Sequence, residues 1–559
     1  MKKKILFTIT FLFLAFSFSV KADTLGQERK FFIEPTYDSK ARSELTAVLV
    51  DASSQLYVYA DKDWWNSAPQ EEIYKKIREL SSEFSSKIYP VIVSNYGSEW
   101  TPGIDNDSRI TVLIHPMNGE AGGYFRSNDE YSKLQTSVSN EREMVYINST
   151  FILDKSAKSF LAHEFMHLVT FNQKDIKQGE SDDTWLDEAR SEYVPTLLGY
   201  DDEYVGSYLE KRVQTFSEKP TGSLVDWQNT KYDYARINLF IHYMVDHYGQ
   251  NILSDSLKSS YVGIDSINYA LRKNNFKETF SQIFSDWTIA VLVNDCDYGS
   301  KYCYLSKNLN TFNILTQVNY LPVSGESTLT FAERTKSWSG SWFKIIGGGG
   351  GLLKFNFVGD ATAFFKVYYI TKNRVGAYKI NTVLLNSAQK GGVQIVNFGN
   401  DVTSLYIVSH LISVPGTNDS LLHDFSWSTS VSRTITDTPT NNTEEIKRLL
   451  AIIEDLKQKI AVLLAQQTGA SCTITVNLSF GMQNSDQVKC LQNFLRLQGQ
   501  DIYPEGLVTG NFGSLTKSAV IRFQEKYRSE ILTPVGLSSG TGYVGEKTRY
   551  KINQILSTK

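Results

Sequence analysis

The apolar period of this chain changes near residue 318. Upstream the spacing is mostly helical. Ile73, Ile77, Leu80 and Phe84 recur at three and four residues and predict a helix over 71–84. Arg109 to Ile114 and Glu143 to Asn148 read as strands, so residues 23–155 mix the two types. Residues 156–293 are mainly helical, with stripes such as Leu239 and Tyr243, or Phe276, Phe280 and Phe284. From 318 to 435 short apolar runs alternate with Gly, Asn and Asp clusters: Leu352 to Phe357, Phe364 to Ile370 and Leu405 to Val408. That alternation predicts an all-β sandwich. Gly347 to Gly351 lie between two strand candidates. A phosphate loop would need a following helix and a Lys-Ser/Thr pair, so these glycines read as a loop.

At 559 residues the chain is too long for one core and calls for three or four domains. With 41% hydrophobic and 21% charged residues, it is neither disordered throughout nor a multi-span membrane protein. A net charge of −3 gives no reason to expect a nucleic-acid partner.

The N-terminus carries Lys2, Lys3 and Lys4, then an uncharged apolar run from Ile5 to Val20, then Val20-Lys21-Ala22. Residues 1–22 therefore read as a secretory signal peptide, with export as the consequence. Four cysteines suit an exported chain, and the economical pairing is two local disulfides, Cys296–Cys303 and Cys472–Cys490. Residues 436–470 read as a linker (Thr436 to Thr443) followed by a helix. In that helix Ile446, Leu449, Ile453, Leu456, Ile460 and Leu463 fill three heptads with Ile at a and Leu at d. That pattern fits a short parallel coiled coil over 446–463, and hence a homodimer; it fits equally a lone helix that folds back on the β domain or spaces the terminal module from it.

The strongest chemical signal is His163-Glu164-Phe165-Met166-His167, inside an amphipathic helical stretch from Ser156 to Thr170. Residues four apart share a helix face, so both imidazoles can hold one Zn²⁺. Glu164, offset by one position, would reach the water rather than the metal. Trp185-Leu-Asp-Glu188-Ala-Arg-Ser-Glu192-Tyr193 supplies the next acids. Glu188 is the third ligand in this reading, leaving a position open for catalysis. Glu192, one turn on, is placed to accept the N–H of a zinc histidine. Asp105-Asn106-Asp107 invites a Ca²⁺ reading but lacks the other ligands of a calcium loop, so a turn is favoured. Ala121 to Phe125 is read as an edge strand against which a peptide could pair.

These two motifs together resemble the gluzincin zinc metallopeptidases, and within them the hyicolysin-like secreted neutral metallopeptidases. Further similar segments are Gly103 to Ile110, Ala121 to Phe125, Ser139 to Asn148 and Tyr234 through Gly249, so the resemblance covers about residues 40–295. It implies an α+β zincin catalytic domain, with an N-terminal α/β part (23–155) and a helical part (156–317) carrying the zinc site. It also implies His163, His167 and Glu188 as ligands, Glu164 as base, and a tyrosine at the head of the 234–249 helix as oxyanion donor. Tyr234 is the first choice for that donor, with Tyr232 and His242 as alternatives. Residues 471–559 resemble a three-helix peptidoglycan-binding module. They carry Asp486 to Leu495, Thr509 to Gln524 and Gly542 to Thr548, with a repeated Gly-x-x-Thr that puts a glycine turn and a threonine at each helix entry.

The reading is thus a multidomain zinc endopeptidase acting on protein or peptide substrates. Its place is extracellular, at the cell wall or in the periplasm, and its C-terminal module binds peptidoglycan. Two other readings stay open: a zinc peptidase cutting peptidoglycan peptides, and an inactive envelope-binding protein. The presence of both Glu164 and Glu188 argues against the last.

Overall fold

The computed structural model describes residues 22–119, 121–322, 327–412, 420–432, 472–499, 501–504 and 506–557. The apolar run near the N-terminus, the linker 436–443 and the heptads 446–463 lie outside them. No helix among the described residues is long and apolar enough to cross a membrane. The chain divides into two compact units, 1–435 and 436–559.

The first unit opens with a six-stranded sheet: β1 (Glu28–Phe32), β2 (Glu44–Ala52), β3 (Leu56–Asp61), β4 (Ile110–His115), β5 (Gly123–Phe125) and β6 (Met144–Asn148). The order is β1-β2-β3-β4-β6-β5; β3, β4 and β6 run parallel, and β5 closes the edge antiparallel to β6. Every residue of β3, β4 and β6 is buried, as parallel strands covered on both faces require. Alternation then sorts them. Val58, Ala60, Val112, Ile114, Val145 and Ile147 join the main helical core, while Tyr57, Tyr59, Leu113, Met144 and Tyr146 line a second cluster on the opposite face.

On the helical face lie α1 (Gln70–Glu83), α2 (Tyr89–Tyr96), α3 (Ala157–Thr170), α4 (Thr184–Leu197), α5 (Tyr208–Glu218), α6 (Lys231–Tyr248), α7 (Gly263–Lys273) and α8 (Phe280–Val293). Two have reciprocal N-terminal capping, Thr230 with Asp233 on α6 and Thr279 with Gln282 on α8. The cap at Thr279 corrects the Phe276 stripe. Asn275 takes φ +64°, so Phe276 precedes the helix rather than belonging to it.

Between 317 and 432 the described residues carry nine strands: β7 (Gln317–Leu321), β8 (Ser327–Thr335), β9 (Gly340–Gly347), β10 (Gly351–Gly359), β11 (Phe364–Asn373), β12 (Tyr378–Val383), β13 (Lys390–Phe398), β14 (Val402–Ile412) and β15 (His423–Ser432). They form two arrays, β12-β11-β14-β9-β7 and β13-β10-β15-β8, joined by one residue pair between β13 and β14. Inward residues of both arrays share one core, including Phe343, Phe355, Phe365, Ile407 and Trp427. The glycine run is a loop, with φ between +55° and +93° at Gly347 to Gly350. It carries the chain from β9 in one array to β10 in the other, in a backbone region that side chains disfavour.

This β region is continuous with the helices. Trp342 Nε1 donates to the Thr288 carbonyl of α8 at 2.7 Å, and His410 Nε2 lies 2.9 Å from Ser285 Oγ. Trp338, Trp342, Ile370, Tyr406 and Val408 belong to the helical core. The Cys296–Cys303 disulfide is formed just after α8.

The second unit, taken by itself, has α9 (Asp486–Leu497), α10 (Ser514–Lys526) and α11 (Glu546–Ser557), around a core that includes Leu491, Phe494, Phe523 and Ile552. Cys472–Cys490 ties its first described residue to α9. The repeated threonines do not cap helix ends. Gln492 Oε1 accepts the Thr509 and Gly510 N–H groups at 2.8 and 2.9 Å, and its Nε2 donates to Thr516 Oγ1 at 3.0 Å. Gln524 makes the same bonds to Thr541, Gly542 and Thr548, at 2.9, 2.9 and 3.1 Å. The module is an internal repeat in which a buried glutamine clamps the next glycine turn and the following helix.

Candidate metal centre

α3 is a central helix rather than the amphipathic one its pattern suggests: Leu161 to Thr170 are all buried. The polar face is the site itself, enclosed by α4, β5 and α6. Residues four apart on α3 bring His163 and His167 side by side, ring centroids 5.0 Å apart. α4 contributes Glu188, whose Oε2 is 3.2 Å from His163 Nε2 and 3.6 Å from His167 Nε2. One ligand atom from each of the three lies within 4.8 Å of the others.

The remaining nitrogens also meet acids. His167 Nδ1 is 2.9 Å from Asp187 Oδ2, and His163 Nδ1 is 3.7 Å from Glu192 Oε1. Glu192 is itself held by the Tyr208 hydroxyl at 2.7 Å, by Arg212 at 2.7 and 2.8 Å, and by Asn238 at 3.2 Å. The sequence reading missed Asp187. Its signal is its place beside Glu188, which turns it to the other histidine. Two imidazoles sharing one carboxylate, each with a further acid at its other nitrogen, are a donor set that fits a tetrahedral N/O metal such as zinc.

Glu164 is buried behind this cluster. Burial pushes its carboxyl up to about 7, against the pull of the two histidines. It lies against the edge strand: a Cβ on Gly123 would meet the Tyr146 carbonyl at 2.5 Å and Glu164 Oε1 at 3.0 Å, so only glycine allows this approach. Phe125, two residues along β5, stacks on His167 at 6.3 Å. For Glu188, burial is outweighed by the facing histidines, and its carboxyl is held well below the usual range.

Of the three oxyanion candidates, the structure brings Tyr234 to the cluster. Its hydroxyl is 3.4 Å from Glu188 Oε1 and 3.1 Å from Asn229 Oδ1. Burial, with Glu188 and Glu192 beside it, holds that hydroxyl above its ordinary pKa, so it stays a donor. Tyr232 points instead to Glu218 at 3.4 Å, and His242 is buried between Thr196 at 2.8 Å and the Asn238 carbonyl at 2.8 Å. Residues 105–107 form a turn: Asp105 Oδ1 accepts the Asp107 N–H at 2.8 Å, and Asp107 pairs with Arg109 at 2.7 Å.

Comparison with known proteins bears on both units. The family described as "Putative peptidoglycan binding domain" matches residues 484–552. The neutral metalloprotease ShpI of Staphylococcus hyicus is 23% identical over 244 residues, covering 39% of this chain and 53% of that protein. The chain thus spans about half the length of this curated relative. Among solved structures, the M60 catalytic domain with two CBM51 domains from Clostridium perfringens ZmpB overlaps 69% of this chain and 59% of that one, at 8% identity and a TM-score of 0.22. The pre-peptidase C-terminal domain of a Bacillus anthracis collagenase overlaps 21% of this chain and 98% of that one, at 6% identity and a TM-score of 0.15. Neither overlap is close enough to bear on the fold. The chain is a distant homologue of a neutral metalloprotease, with a peptidoglycan-binding module at its C-terminus.

Proposed function

We propose that the chain is an exported zinc endopeptidase that hydrolyses peptide bonds in proteins and is held at the cell wall by its last ninety or so residues. One observation carries the reading: His163, His167 and Glu188 converge while Glu164, on the same helix, stays outside the ligand set. What zinc supplies when bound there is Lewis acidity towards a peptide carbonyl and water. Glu164 takes the proton of the attacking water on a carboxylate oxygen and delivers it to the leaving nitrogen. Tyr234 Oη donates to the oxygen on which negative charge develops. Asp187 and Glu192 orient the two imidazoles. β5, ending the sheet beside Glu164, offers backbone groups to an extended peptide.

Purified protein should contain one zinc per chain and hydrolyse casein. Chelation should stop the activity and zinc should restore it. A metal-free, fully active enzyme would reject the proposal. Release of stem peptides from sacculi without casein hydrolysis would instead favour peptidoglycan as substrate.

Tyr234→Phe removes one hydroxyl and little packing. It should lower kcat about 10²–10³-fold with KM nearly unchanged. An equal fall for Tyr232→Phe would remove the distinction drawn from geometry.

The wall partner has its own test. The full chain should sediment with peptidoglycan sacculi, and the chain ending at Ile435 should stay in the supernatant. If both sediment equally, the module is not the anchor.

A further inference from the structure

Away from the metal centre, the loop 126–143 that joins β5 to β6 buries acids with unpartnered carboxylate oxygens. Glu130 closes the turn Ser127–Glu130 and is 2% exposed, and neither of its carboxylate oxygens has a hydrogen-bond partner. Glu143, the residue before β6, faces it. Its Oε1 accepts the Ile104 N–H at 2.8 Å, while its Oε2 is buried and unpartnered. Glu99 repeats the pattern: Oε1 takes the Tyr89 hydroxyl at 3.2 Å, and Oε2 is buried without a partner. The loop before β4 closes over Glu143. Gly103 takes φ +79°, and a Cβ there would run into the Glu143 carboxylate.

The terminal nitrogens of the nearby guanidiniums are engaged elsewhere, while Arg126 Nε is buried without a partner. Arg142 holds Asp23 at 2.6 Å and reaches Asp105 only at 3.8 Å. Arg126 lies 3.6 Å from Asp129, which Tyr146 at 2.6 Å and Asn140 at 2.9 Å already satisfy. Facing carboxylates withdrawn from bulk solvent repel. Burial pushes both carboxyls up, Glu130 with Glu143 and Asp129 adding to it, and Glu143 to about 7 against the pull of the Ile104 N–H. A single shared proton would satisfy one oxygen of each and leave the other Glu130 oxygen and Glu99 Oε2 bare. A hard cation answers the whole arrangement, because its ligands are oxygens and its charge offsets two carboxylates.

We propose that Glu130 and Glu143 are ligands of a calcium ion, in the field of Glu99 and Asp105. The ion ties the two ends of the loop 126–143. It thereby steadies β5, the strand that lies against Glu164. This site is separate from the zinc centre and does not depend on the peptidase reading.

The test uses the full chain, zinc-loaded and stripped of calcium. Calorimetric titration with CaCl₂ should show one ion per chain, with Kd in about the 10⁻⁴–10⁻³ M range of extracellular modules. About 10 mM CaCl₂ should raise Tm by about 2–4 °C. Glu130→Gln and Glu143→Gln should each weaken binding at least about tenfold. Glu188→Ala, at the proposed zinc centre, should bind calcium as zinc-free wild type does. Absence of uptake by folded wild-type chain overturns the proposal, whatever the variants do. So does wild-type affinity in a folded Glu130→Gln chain. A shared proton would appear as no calcium uptake together with stability that falls as pH rises through about 7. The raised carboxyl then loses, in the folded state, the proton that favoured it.

Discussion

Glu164→Gln should abolish most casein hydrolysis, by about 10²–10⁴-fold, while the purified variant keeps its zinc. The two outcomes separate because the proposed ligand atoms belong to His163, His167 and Glu188, which converge within 4.8 Å, and Glu164 is not among them. Glutamine keeps the shape that lies against Gly123 but accepts no proton at neutral pH. Zinc content by elemental analysis and kcat/KM on casein check the two halves. A variant that cleaves at the wild-type rate would dismiss Glu164 as the base. One that loses zinc would show that the side chain helps to hold the metal.

Glu188→Ala should lose both metal and activity, falling to the baseline of chelated wild type. It removes the carboxylate that faces both Nε2 atoms, at 3.2 and 3.6 Å, and leaves two imidazoles, too few for a catalytic zinc site. Asp187→Asn gives the graded comparison. It spares every ligand but weakens the acceptor 2.9 Å from His167 Nδ1, and should loosen metal retention about 10–100-fold. Dialysis against graded zinc buffers followed by elemental analysis reads both. Zinc retained at full stoichiometry by Glu188→Ala would overturn the ligand assignment. Equal behaviour of Asp187→Asn and wild type would reduce the Asp187 contact to packing.

The sequence by itself determined whatever depends on spacing within one element. His163 and His167 share a face because four residues make about one helical turn. Glu188 follows on a second helix, the strand runs after 318 alternate, and each local disulfide closes a short stretch. The tertiary structure alone decided what depends on how elements face one another. Asp187 and Glu192 lie on one helix, yet the angle at which α4 meets α3 turns one to His167 and the other to His163. Tyr234 rather than Tyr232 reaches Glu188 because of how α6 is rotated against α4. The helical and β regions form one unit because Trp338 and Trp342 enter the helical core. Glu99, Glu130 and Glu143 are scattered along the chain and look like solvated acids. Only the packing of the loops before β4 and β6 takes them out of water. Burial is a property of the assembled layers, and no local period encodes it.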